Sequence, residues 1–126
     1  MDKLKLKINL KITSDGENIL GPGIIELLRL IDQKHSLRSA AKAMAMSYSK
    51  AWRILNHAEV HWGFQLTEKK IGGEHGGESS LTSLARDLIC RYEQLDRETR
   101  ASAEVLFEKY FKINICDLKE NPNAKS

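Results

Sequence analysis

A mostly α-helical fold with small β elements is what the 126-residue sequence predicts, and three patterns predict it. Residues 36–63, SLRSAAKAMAMSYSKAWRILNHAEVHWG, read as a short helix, a tight turn and a longer helix. Residues 64–82, FQLTEKKIGGEHGGESSLT, read as two strands around a glycine-rich loop. Residues 82–113 carry an unbroken helical pattern. With a short hairpin in front, these pieces make a winged helix-turn-helix: N-terminal β-hairpin, three-helix core, wing, and a long C-terminal dimerisation helix.

At the start of the chain, residues 3–13 alternate strictly. Leu4, Leu6, Ile8, Leu10 and Ile12 fall on one side, with Lys3, Lys5, Lys7, Asn9 and Lys11 on the other. That alternation predicts a strand with one buried face. Its lysine row suits either DNA phosphates or an edge protected from aggregation. Ser14, Asp15 and Gly16 form a turn, and residues 17–20 return as a second short strand. Gly21, Pro22 and Gly23 interrupt the chain before a first helix over residues 23–34, with Pro22 suited to its first turn. Ile24, Leu27, Leu28 and Ile31 make the apolar stripe of that helix.

Ser36 suits the N-cap of the second helix, whose Ala40, Ala41 and Ala43 permit close approach of a neighbour. Met44 and Met46 flank the turn and point inward. Ser47 caps the third helix, which meets no Pro or Gly before Gly63. At about 100° per residue, Ala51, Ile54, Leu55, Ala58 and Trp62 share one face, while Ser49, Arg53, Asn56 and Val60 share the other. Lys50 and Trp52 lie on the borders. The outward set lacks the Glu and Lys mixture of an ordinary solvated face. Arg and Asn can make bidentate contacts to guanine and adenine edges, Ser can donate or accept, and an indole can pack on a sugar or a thymine methyl.

After Gly63, Phe64, Leu66 and Ile71 suggest one strand of the wing and residues 79–81 the other. Lys69 and Lys70 are expected at its base, facing phosphates beside the groove together with Lys42 and Lys50. Thr82 is a plausible N-cap for the long helix. Leu84, Leu88, Tyr92, Leu95, Thr99, Ala103, Leu106, Tyr110 and Ile113 recur along it every three or four residues. Such a helix is about 45 Å long, more than a domain of this size can cover. Its outer part calls for a second copy packed antiparallel, with Leu88, Tyr92, Leu95, Leu106 and Tyr110 at the contact. The competing arrangement folds the helix back on its own domain around Thr99.

Charge is distributed unevenly. Residues 34–70 hold seven Lys or Arg against two acids, Glu59 and Glu68, whereas residues 92–126 hold six basic and seven acidic side chains. A basic front and a neutral arm suit a module that grips phosphates at one end. Cys90 and Cys116 have no metal-like spacing, which fits a reduced intracellular protein, and Cys90 is expected to pack as a small hydrophobe. No apolar run reaches membrane length and the amino terminus alternates, so the expectation is a cytoplasmic protein without membrane association.

The run LGPGIIELLRLID, the helix pair ending MSYSKAW and the wing IGGEHGGESSLT resemble the amino-terminal domain of the molybdate-responsive ModE-type transcriptional regulators, a domain itself similar to that of LysR-type regulators. The resemblance covers most of residues 20–92. It implies a dimeric module that lays the helix carrying Ser47, Tyr48, Ser49, Lys50, Trp52, Arg53 and Asn56 in the major groove of duplex DNA. The wing, with Lys69 and Lys70, would meet the adjacent backbone, and the long helix would form the dimer. The sequence contains no recognisable oxyanion site, so a regulator lacking the molybdate-binding domains is expected, and molybdate binding is not.

Other chemistry finds little support. His57 and His61, four residues apart, can face one metal ion, yet the sequence offers no evident third ligand. They read as a solvated or phosphate-contacting pair, and no metal site is expected. Glu74, His75 and Glu78 fall in a polar loop. The glycine-rich loop carries no Lys-Ser or Lys-Thr ending, which argues against a nucleotide cradle. No catalytic residue and no cofactor is expected. The expected organisation is a DNA-binding domain over residues 1–81, a dimerisation helix over 82–114 and a polar tail over 115–126. A winged-helix module for protein interaction without specific DNA binding is the alternative.

Overall fold

Three helices, Pro22–Lys34 (α1), Leu37–Ala43 (α2) and Tyr48–Trp62 (α3), enclose a core built on the stripe the sequence predicts for α1. The computed structural model describes residues 4–70 and 78–112. Ile24, Ile25, Leu27, Leu28 and Ile31 of α1 are all buried. Ala40 and Ala41 of α2 and Ala51 and Ala58 of α3 are essentially inaccessible, so α2 and α3 approach at methyl-group distance, whereas Ala43 is exposed. Met44, Met46, Ile54 and Trp62 close the edges of the core as half-buried side chains.

The helix ends follow from local chemistry. Pro22 occupies the first turn of α1, where its missing N–H costs nothing. The Ser36 hydroxyl accepts from the Ser39 amide at 3.1 Å, and the Ser47 hydroxyl accepts from the Lys50 amide at 3.1 Å. Between these helices Ala45 adopts φ 55°, a left-handed conformation that costs a side-chain-bearing residue about 1–2 kcal/mol. The turn holds it there: the Ala45 amide donates to the Lys42 carbonyl and the Met46 amide to the Ala41 carbonyl, each at 3.0 Å.

Ahead of the core, strands Ile12–Ser14 (β1) and Glu17–Leu20 (β2) pair antiparallel across Asp15 and Gly16, both at positive φ as a two-residue hairpin turn requires. The long strand expected over residues 3–13 is not formed. Ile12 already pairs with Leu20, and the chain then turns into α1 at Pro22, so β2 offers residues 4–11 no further partner. Leu4 and Leu6 are exposed, while Leu10 and Ile12 pack against the core.

Behind the core, strands Thr67–Lys70 (β3) and Glu78–Leu81 (β4) form the wing in the register Thr67↔Leu81 to Lys70↔Glu78. The strand begins at Thr67 and not at Phe64, because Leu66 turns inward to full burial. Lys69 and Lys70 therefore lie at the loop end of the ladder, not at its base. Ile71, the glycines of the loop, Glu74 and His75 lie outside the described residues, and Lys70 is described by its backbone alone.

Helix Ser83–Phe107 (α4) starts where expected. The Thr82 hydroxyl accepts from the Ala85 amide at 3.1 Å and donates to the Gln65 carbonyl at 2.8 Å. A π-helical stretch, Glu108–Lys112, continues it. Ile113 and the tail over residues 115–126 lie outside the described residues. By contacts the chain divides into one unit of Asn9–Glu93 and another of Met1–Ile8 with Gln94–Ser126.

Within the first unit α4 buries Ala85, Leu88, Ile89 and Tyr92, and the Tyr92 hydroxyl donates to the Leu10 carbonyl at 2.9 Å. Leu84, expected inward, is exposed, because the buried face is centred on Ala85 and Ile89. The same phase leaves Cys90 exposed, contrary to its expected burial. Leu88 and Tyr92 belong to the chain's own core, which takes them out of the expected dimer stripe. In the second unit Leu95, Val105, Leu106, Tyr110 and Phe111 are exposed. There the helix leans on neighbours along its own surface, such as Arg100 to Asp96 at 2.9 Å and Gln94 to Glu98 at 2.7 Å. Arg100 Nη2 also donates to the Ile8 carbonyl at 2.9 Å. Among the described residues no helix is long and apolar enough to cross a membrane.

Replacing Ala45 by Gly relieves the left-handed strain in the turn at the cost of a looser unfolded chain. We expect Ala45→Gly to raise stability by about 0.5–1 kcal/mol, measured by urea denaturation.

Candidate nucleic-acid interface

The inward face of α3 is short and apolar, and its outward face follows by rotation. Ala51, Leu55 and Ala58 are buried, while Ser49, Lys50, Trp52, Arg53, Asn56 and Val60 are exposed. Trp52 is 49% accessible and Val60 69%, so neither is recruited to the core. Ser47 is exposed, although its hydroxyl is engaged as the cap, and Tyr48 is 39% accessible. Every residue of α3 that the sequence assigns to DNA is thus exposed.

Arg38 joins them. Its guanidinium carbon sits 4.7 Å above the Tyr48 ring centroid, which holds a cation from the first turn of α2 against the first turn of α3. In the sequence Arg38 stands out only as one of the seven cations of the basic stretch. Its position two residues after the Ser36 cap was the available signal, since the first turns of paired helices lie close together.

Between the start of α3 and the wing runs an open groove of about 980 Å³, lined by Lys34, Arg38, Tyr48, Trp52, Thr67 and Lys69 among others. Its walls are fixed by three hydrogen bonds to backbone amides. Glu59 Oε2 accepts from the Leu66 amide at 2.7 Å and the Thr67 amide at 3.4 Å, which fastens β3 to α3. The His35 carbonyl accepts from the Ser79 amide at 2.9 Å, which fastens β4 to the end of α1. Glu59, one of two acids in the basic stretch, thereby spends its charge on peptide N–H groups. Lys42 and Lys69 are both exposed.

Opposite the wing, the Trp62 indole donates to the Ile19 carbonyl at 2.9 Å and so attaches the N-terminal hairpin to the end of α3. The pair His57 and His61 meets Glu17 of β2 there: His57 Nε2 contacts Glu17 Oε2, and His61 Nε2 lies 3.3 Å from the same oxygen. The third group that the sequence did not offer is therefore present. It comes from 40 residues upstream of His57, across a fold that spacing along the chain cannot disclose.

No protein-family model matches the chain. Among curated proteins it is similar to the molybdenum transport protein ModE of Azotobacter vinelandii, at 24% identity over 94% of this chain and 44% of that protein. It is similar to the DNA-binding transcriptional dual regulator ModE of Escherichia coli K12, at 31% identity over 82% of this chain and 37% of that protein. The chain thus spans well under half the length of the curated relatives it matches. Over the matched stretch it is similar to ModE transcriptional regulators, the family that the MSYSKAW helix and the glycine-rich wing resemble. A solved structure, the CbnR DBD in complex with DNA, superposes with a TM-score of 0.47 at 16% identity, over 64% of this chain and 86% of that one.

Removing the Glu59 carboxylate leaves the amides of the inaccessible Leu66 and of Thr67 without their acceptor. Glu59→Ala should cost about 1–3 kcal/mol of stability and speed hydrogen exchange at these two amides, read by native-state exchange.

Proposed function

We propose that this chain is the DNA-binding part of a ModE-type transcriptional regulator, acting on duplex DNA as a homodimer and without catalysis. The observation that carries the reading is the uncovered outer face of α3, where Trp52, Arg53 and Asn56 are exposed beside the wing on a chain related to DNA-binding regulators. In this reading α3 enters the major groove. Arg53 and Asn56 hydrogen-bond base edges, Ser49 and Trp52 complete the contact, and Ser47, Tyr48 and Lys50 meet the backbone near the start of the helix. Lys69 and Lys70 of the wing and Lys42 of α2 hold flanking phosphates. The Arg38–Tyr48 stack adds a cation at the same edge of the surface. The chain acts in the cytoplasm, and the reading assigns it DNA recognition rather than oxyanion binding.

Pairing of two copies is supported by the outer part of α4. There Leu95, Leu106 and Tyr110 keep roughly half of their surface in water, a poor state for large apolar side chains. Val105 and Phe111 are exposed on the same stretch. An antiparallel α4 from a second copy covers them and sets two α3 helices on one face of a duplex.

Titration of a fluorescent duplex, selected from fragments of the source genome, tests DNA reading. Wild-type affinity should fall steeply as salt rises. Arg53→Ala should cost about 1–3 kcal/mol at the selected sequence and relax its preference, while Lys69→Ala weakens all duplexes alike. Salt-independent retention, untouched by either substitution, would favour a protein-interaction module instead.

Sedimentation equilibrium tests the pairing. Wild-type protein should weigh as two copies and Leu106→Glu as one, with far-ultraviolet dichroism of the first unit's helices retained. A monomeric wild type rejects the dimer.

A further inference from the structure

We propose that Glu17, His57 and His61 form a binding site for a divalent transition-metal ion of the zinc class, bridging β2 and α3. The three donor atoms all lie within 4.8 Å of one another. His57 and His61 stand one helical turn apart, with ring centroids 4.5 Å apart and planes inclined by 50°, so both Nε2 atoms converge on the same Glu17 oxygen. A proton between these groups serves one imidazole–carboxylate contact at a time. A metal ion serves all three donors together.

The distances suit such an ion. Bonds of about 2.0–2.2 Å in tetrahedral geometry place donor atoms about 3.3–3.6 Å apart, which small rotations of these side chains reach from the present arrangement. Two imidazoles and one carboxylate are the donors of zinc and its first-row neighbours. Calcium and magnesium favour sites made of oxygen alone. The His61 side chain is 20% accessible, His57 41% and Glu17 54%, so the protein supplies a closed inner wall and leaves an outer position for water. Among the described residues no other trio of His, Cys, Asp or Glu converges in this way.

The backbone holds the donors in place independently of any ion. The Trp62 indole is bonded to the Ile19 carbonyl, immediately beside His61 in sequence and two residues from Glu17. Glu17 and Ile19 alternate on one face of β2, and the Glu17 carboxylate meets both imidazoles of α3. Glu17 also follows directly on the Asp15–Gly16 turn, which sets the position of its backbone. An ion here would cross-link the N-terminal hairpin to α3, on the flank away from the wing.

Metal-stripped full-length protein in a Cys90→Ser, Cys116→Ser background, titrated with Zn²⁺ by calorimetry and with Co²⁺ by visible absorption, tests the site. One ion per chain should bind, with an intense tetrahedral Co²⁺ band and a higher melting temperature. His57→Gln and His61→Gln should each weaken binding about tenfold or more and abolish the band. Glu17→Gln should weaken it too, whereas His35→Gln and His75→Gln should leave it intact. Circular dichroism confirms that each variant is folded. Failure of the wild type to bind one equivalent, or binding unchanged in both His57→Gln and His61→Gln, overturns the site.

Discussion

The close contact between α2 and α3 is the constraint on which the rest of this structure depends. Four alanines, Ala40 and Ala41 on α2 and Ala51 and Ala58 on α3, have almost no accessible surface. Because the inward face of α3 is made of such small side chains, the helix is seated by its backbone and needs few of its large residues for packing. Tyr48, Trp52, Arg53 and Asn56 stay outside as a result. A larger residue at any of the four alanines would push α3 outward and move both hairpins with it, since Trp62 carries one and Glu59 the other.

Burial outweighs charge in holding the start of α4 to this frame. Arg86 makes a two-point contact with Asp32 at 3.0 and 2.7 Å, and Arg29 meets Glu93 at 2.9 Å. These pairs are open to solvent, where each is worth little. The Asp32 carboxylate raises the Arg86 guanidinium above its ordinary value, by hydrogen bonding first and by charge second. Ala85, Leu88, Ile89 and Tyr92 supply the main attachment, and the ion pairs add little to it.

Much of this was legible from local chemistry. The caps at Ser36, Ser47 and Thr82 each act within three residues of themselves, and the two faces of α3 follow from angular spacing alone. What failed to show depends on partners distant in sequence. Residues 4–11 have the alternation of a strand but, among the described residues, no strand beside them, because β2 ends where α1 must begin. Cys90 and Leu84 sit on an apolar helix whose exact phase is decided by what it meets. Ala45 occupies a backbone region where glycine is usual, which no propensity rule assigns to alanine. Glu17 gains its significance from a strand folded across α3, and nothing along the chain links it to His57.

The π-helical turn at the end of the described chain has a consequence of its own. Each such turn takes in one residue more than an α-helical turn, so side chains past Phe107 are rotated out of line with those before it. The Phe107 and Phe111 rings still meet, tilted, with centroids 5.8 Å apart, yet the line of exposed apolar side chains from Leu95 to Leu106 does not run straight on to Tyr110. A straight helix sliding along this rod would lose its fit at that point. The irregularity works as a notch in a key, allowing one alignment of whatever lies against it and penalising every shifted one.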